Sequence, residues 1–228
     1  IYSCLIMSVS LQAQEHFADR YNVSYITMDN GLPHNFIDDI YKDTYGFLWI
    51  STAGGGLSRY DGYEFINFNT NTPHCKLKSN FIRNVYEDSF QRLWIVSEGG
   101  TDIIDLSTLQ SVVPAAPRGV LSRLINQPAH TVILDSQGCI WLQCNNALHR
   151  ITFNAKGDID TLSTLDLPEL SEPDLTLKDI DEDGKIWAGI NGTIYKIIPT
   201  DQGKLEKKTI SEQLTFWPDI YFNCLLYT

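Results

Sequence analysis

The chain has 228 residues, 43% hydrophobic and 11% aromatic, which is material for one large domain or two small ones with a substantial core. A formal charge of −11, with no Lys/Arg cluster to offset it, argues against nucleic acid as a partner, because nothing here would replace the counterions condensed on a phosphate backbone. The slightly negative mean hydropathy argues against a bundle of membrane helices.

Residues 1–13 form an apolar stretch that ends at the small residue Ala13, ahead of polar chain. It is shorter than the roughly 20 apolar residues that span a bilayer. It has the h-region and cleavage-site pattern of a secretory signal peptide, entered partway because no Met or basic segment precedes it. The alternative is a buried first strand. Cys4 would leave with the signal, and Cys75, Cys139, Cys144 and Cys224 remain, without a CxxC or metal-ligand spacing. Cys139 and Cys144 lie an odd number of residues apart on one predicted strand, so they face opposite sides, which speaks against a disulfide between them.

From residue 14 onward the chain repeats itself. Asp43-x-x-Gly46-x-x-Trp49 recurs as Asp88-x-x-Gln91-x-x-Trp94, Asp135-x-x-Gly138-x-x-Trp141 and Asp181-x-x-Gly184-x-x-Trp187, with Trp-to-Trp intervals of 45, 47 and 46 residues. The flanks recur too: "NFIDDIYKD" before the first turn and "NFIRNVYED" before the second. After each Trp come a Gly- or Asn-rich turn, a short strand pattern, a further turn and a last strand. Strand signals spaced about 8–12 residues apart predict an all-β fold, and a 46-residue unit of four strands is the arithmetic of a β-propeller blade. Each Asp is placed to accept turn N–H bonds, each Gly to supply positive φ, and each Trp to fill the gap between blades. Gln91, at a glycine position, implies a different or strained turn. Trp217 falls off the register, and "YFNCLLYT" resembles the strand that precedes each Asp turn. Residues 14–228 thus read as four blades and the start of a fifth, part of an incomplete propeller.

With these residues in place, the wording of the repeat resembles the propeller repeats of two-component-regulator sensors. Gly31-Leu32, Asn35, Asp43, Gly46, Leu48-Trp49-Ile50, Thr52, Gly56-Leu57 and Tyr60-Asp61-Gly62 match the family pattern, and Ser51 replaces a usual glycine. The likeness covers roughly residues 25 to 200, closely in the first two repeats and loosely in the next two. It implies the N-terminal periplasmic sensor part of a Bacteroidetes-type hybrid two-component histidine kinase. The implied parent is anchored in the inner membrane and homodimeric, with further ectodomain, kinase, receiver and DNA-binding parts. Such proteins respond to oligosaccharides and regulate glycan-utilisation genes. Kinase motifs are absent from these residues. The alternative is an exported propeller that serves as a binding protein, a scaffold or a carbohydrate-active module without a kinase.

The remaining motifs fall short of other chemistry on spacing or residue type. Asp179, Asp181, Asp183 and Gly184 have D-x-D-x-D-G spacing, but the twelfth loop position, where an EF-hand needs a bidentate Glu, is Ile190. The sialidase Asp box places Asp two residues before Gly, whereas here the interval is three. Asp38, Asp39, Glu87 and Asp88 are available as paired carboxylates, yet they read as strand and turn residues. The five histidines are scattered, and "AGGGLS" lacks the Lys-Ser/Thr of a phosphate loop. No catalytic residue, metal ligand or cofactor is expected. The expected partners are an oligosaccharide and the rest of the ectodomain. Tyr60, Tyr63 and Phe65 are aromatic candidates for sugar contact, with packing as the competing role.

Overall fold

The computed structural model describes residues 25–167, 176–180, 185–190, 193–200 and 204–211. The signal-peptide reading of residues 1–13 and the fifth-blade reading of residues 212–228 lie outside the described residues. Four antiparallel sheets follow one another along the chain, each a meander in which consecutive strands pair. The first holds β1 (Ile37–Lys42), β2 (Leu48–Thr52), β3 (Gly56–Tyr60) and β4 (Phe65–Phe68). The second holds β5 (Ile82–Glu87), β6 (Arg92–Ser97) and β7 (Gly100–Asp105). The third holds β8 (Ala129–Leu134), β9 (Ile140–Cys144), β10 (Ala147–Phe153) and β11 (Ile159–Asp166). The fourth holds β12 (Thr176–Ile180), β13 (Ile186–Ile190), β14 (Thr193–Pro199) and β15 (Leu205–Ser211). β1 lies against β5 and β5 against β8, so the first strands of the first three sheets are neighbours. This is a run of propeller blades, unclosed among the described residues, with the predicted strand order in the first, third and fourth.

The second blade departs from the pattern. Its expected fourth strand is reduced to a single bridge between Ile104 and Ser111. Pro114 and Pro117 follow, and a residue without an N–H cannot extend a ladder. The segment instead crosses to the third blade, where the Ile159 N–H donates to the Ala115 carbonyl (2.8 Å) and the Ala115 N–H donates to Asp158 Oδ1 (3.2 Å). It then forms a short helix, α1 (Val120–Ile125), before β8 begins.

The core lies between the sheets. Side chains alternate along a strand, so Trp49, Trp94 and Trp141 point to the following blade and their neighbours point back. Trp49 packs with Ile82, Val85, Leu93 and Ile95 of the second blade. Trp94 packs with Val132, Ile140 and Leu142 of the third. Trp141 packs with Ile186, Ala188 and Ile197 of the fourth. All three indoles are fully buried, each contributing up to roughly 4–6 kcal/mol by area. Trp187 is half-buried, on the side of its strand opposite Ile186 and Ala188.

Candidate functional site

The repeated turn is a hydrogen-bonded clamp. Asp43 Oδ1 accepts the Phe47 N–H (2.9 Å) while its Oδ2 accepts the Trp49 indole N–H (2.8 Å). Asp88 Oδ1 accepts the Phe90 (2.8 Å) and Arg92 (3.2 Å) N–H groups, and its Oδ2 accepts the Trp94 indole N–H (2.8 Å). Asp135 Oδ1 accepts from Gln137 (3.0 Å) and Cys139 (2.9 Å), and its Oδ2 from the Trp141 indole (2.9 Å). One carboxylate oxygen thus closes the turn and the other fixes the indole six residues on, which satisfies a donor that would be costly to bury alone. This Asp–indole bond was not read from the sequence, although the constant six-residue interval is its signal. The three-residue glycine slot needs a left-handed backbone: φ is 93° at Gly46, 76° at Gly138 and 58° at Gln91, so the second turn keeps the shape at the cost of strain. Asp181 and Gly184 lie outside the described residues.

The charge around the clamp differs between blades. On the third strand, the residue paired with Trp49 is Arg59, with Trp141 Arg150 and with Trp187 Lys196. Opposite Trp94 stands Ile103 instead, and Arg92, from the turn itself, supplies the cation. Arg92 Nε donates to Asp88 Oδ2 at 2.7 Å and its Nη1 donates to the Gly157 carbonyl at 2.6 Å. Its Nη2 is buried without a hydrogen-bond partner. Arg150 reaches Asp135 Oδ2 at 3.2 Å and Gln137 Oε1 at 2.8 Å. Lys196 Nζ lies 4.6 Å from the Trp187 ring centroid, a cation–π distance.

Adjacent turns meet at the seams between blades. At the first seam, the Thr44 N–H and hydroxyl donate to the two oxygens of Glu87 at 2.8 and 2.6 Å. Beside this contact, burial pushes the Tyr41 hydroxyl up to about 12. At the second seam the equivalent residues are Ser89 and Leu134, and Leu134 offers no acceptor. A cavity of about 380 Å³ opens there, lined by Ser89, Phe90, Gln137, Arg150, Thr152 and Phe153 among others.

The inner strands are tied together at the other end. Asp39 Oδ2 accepts the Asn84 side-chain amide (2.8 Å) and the Val85 N–H (3.2 Å), and Asn84 Oδ1 accepts the Val132 N–H (2.9 Å). One residue earlier, Asp38, Arg83 and His130 fall at the register shifts of β1, β5 and β8. Burial and the neighbouring Arg83 cation hold the His130 imidazole below its ordinary value, against the opposing Glu98 charge. Arg83 pairs with Glu98 at 2.8 Å.

Of the aromatic candidates, Tyr60 and Phe65 stack on each other with centroids 4.5 Å apart, and the Tyr60 hydroxyl donates to the Gly62 carbonyl, so they serve packing. Tyr63 is exposed. Cys75, Cys139 and Cys144 are buried free thiols, all pushed up by burial, Cys139 to about 11 and Cys144 to about 12. Among the described residues, no group of three His, Cys, Asp or Glu is arranged to hold a metal ion.

The family profile "Two component regulator propeller" matches residues 31–54 and 76–99, each span running through a clamp to the turn after its Trp strand. No curated protein sequence matches. Among solved structures, the extracellular domain of BT4673 from B. thetaiotaomicron, described as a hybrid two-component system, is 26% identical with a TM-score of 0.58. The match covers 79% of this chain and 25% of that one. The extracellular domain of BT3049 from the same organism, described likewise, is 21% identical with a TM-score of 0.59 over 81% of this chain and 26% of that one. An inactive virginiamycin B lyase from Staphylococcus aureus shares the fold alone, at 17% identity and a TM-score of 0.50 over 77% of this chain and 56% of that one. The chain spans about a quarter of the length of the two extracellular domains. Residues 31–54 and 76–99 thus match the two-component regulator propeller repeat, in a chain whose fold is that of a β-propeller.

Proposed function

We propose that this chain is an extracytoplasmic, non-enzymatic sensory propeller segment of a hybrid two-component signal-transduction protein. The observation that carries this reading is the conjunction of two regulator-propeller repeats with a fold matched at 26% identity to the extracellular domain of such a system. Fold alone does not decide chemistry, since a lyase shares it. In this role the segment works in the periplasm as part of a larger ectodomain whose parent is anchored in the inner membrane and acts as a homodimer. Its ligand is an oligosaccharide, and the output is control of glycan-utilisation genes. Carbohydrate recognition suits a propeller because the loops and seams vary while the blades stay rigid. Calorimetric titration of the complete ectodomain with a panel of glycans tests the ligand class. Saturable binding of at least one oligosaccharide is expected, and no heat at roughly millimolar ligand would remove the sugar-sensing role.

A further inference from the structure

We propose that the cleft between the second and third blades binds a small ring-bearing carboxylate, for which a hexuronate unit is the sugar form. The cleft lies at a seam whose residues differ from those of the first. Where the first seam has Glu87 bonded twice to Thr44, the second has Leu134 at the Glu87 position and a cavity lined by Ser89 and its neighbours. Its volume of about 380 Å³ falls in the roughly 300–1,000 Å³ range of small-molecule sites.

The lining decides the chemistry. In a chain of net charge −11, the cleft is lined by a guanidinium and by no carboxylate. Arg150 is anchored from behind by buried Asp135, from the side by Gln137 and against the Trp141 ring at 5.6 Å, while its Nη1 enters no hydrogen bond among the described residues. A guanidinium held by the chain and lining the cleft suits a carboxylate ligand. The aromatic walls are Phe90 and Phe153, packed edge-on with centroids 5.7 Å apart. The Arg92 guanidinium carbon lies 5.0 and 4.9 Å from their two centroids, so a second cation holds both rings in place. Ring faces stack on a sugar or aromatic ring, and the Ser89 hydroxyl with the Gln137 amide supplies neutral hydrogen-bonding groups beside them, while the Thr152 hydroxyl is engaged with Thr161.

The inference stands apart from the proposed sensory role, because its readout is local to the cleft. The experiment is an NMR titration of the chain with glucuronate, glucose and benzoate, following Phe90, Gln137 and Arg150. Glucuronate is expected to shift these residues at roughly millimolar concentration, with glucose at least about tenfold weaker. Benzoate binding as well as glucuronate would keep the carboxylate assignment and place the ring source as aromatic. Glucose matching glucuronate, or no shift at the cleft with either acid, would overturn the proposal. Arg150→Gln is expected to weaken glucuronate at least about tenfold. Thr152→Trp, which fills the cleft and leaves the Arg150–Asp135 pair intact, is expected to do the same. Unchanged affinity in Thr152→Trp would count against the site even if Arg150→Gln fails to fold.

Discussion

The first and second seams are built from the same repeat and end differently. Both place an Asp–indole clamp at the base of a blade and pack a buried Trp against the next. At the first, Glu87 closes the gap by accepting two hydrogen bonds from Thr44. At the second, Leu134 takes the place of Glu87, the cation moves from the third strand to Arg92 in the turn, and a cavity remains. The difference shows how a propeller separates its tasks: the clamp residues hold the blades, and the positions beside them, free of that duty, decide whether a seam is sealed or open.

The largest effect expected from breaking this comparison comes from the clamps themselves. Asp88→Ala strands Arg92 as a buried, unpaired cation and is expected to cost about 3–5 kcal/mol. Asp43→Ala removes turn and indole bonds without stranding a charge and should cost about 1–3 kcal/mol. Urea unfolding of the two variants checks this, and equal losses would show that Arg92 is not held by Asp88. Glu87→Leu copies the second seam into the first and is expected to cost about 2 kcal/mol, read in the same way. Gln91→Gly should stabilise the chain by about 1 kcal/mol, by relieving a left-handed non-glycine backbone. The smallest effect concerns His130, whose folded pKa is depressed. Its unfolded form binds more protons, so its contribution to stability is present above the ordinary imidazole value and is lost as pH falls through it. His130→Asn should flatten the pH dependence of stability between about pH 5 and 7.

The blades were legible because their signals are local. Asp43, Gly46 and Trp49 are all within seven residues, and turn chemistry plus a large aromatic at fixed spacing name the strand that follows. The missing fourth strand of the second blade was legible in part, since Pro114 and Pro117 stand where the ladder would run. The seams were not legible, because Thr44 and Glu87 meet across 43 residues and the pairing depends on which blade faces which. For the same reason Arg92 was not recognisable as a substitute for the cation that Ile103 displaces: its partners, Asp88 and Gly157, lie 4 and 65 residues away. The cleft was hidden because its lining comes from residues of two blades, Ser89 and Phe90 on one side and Gln137 to Phe153 on the other, that periodicity does not bring together.

Residue-resolved amide hydrogen exchange tests the distinction between sealed and open seams most directly. The account predicts that the Thr44 amide, bonded to Glu87 Oε2 at 2.8 Å, is protected while the equivalent Ser89 amide exchanges freely, with the indole protons of Trp49, Trp94 and Trp141 all protected. Equal exchange at Thr44 and Ser89 would contradict it.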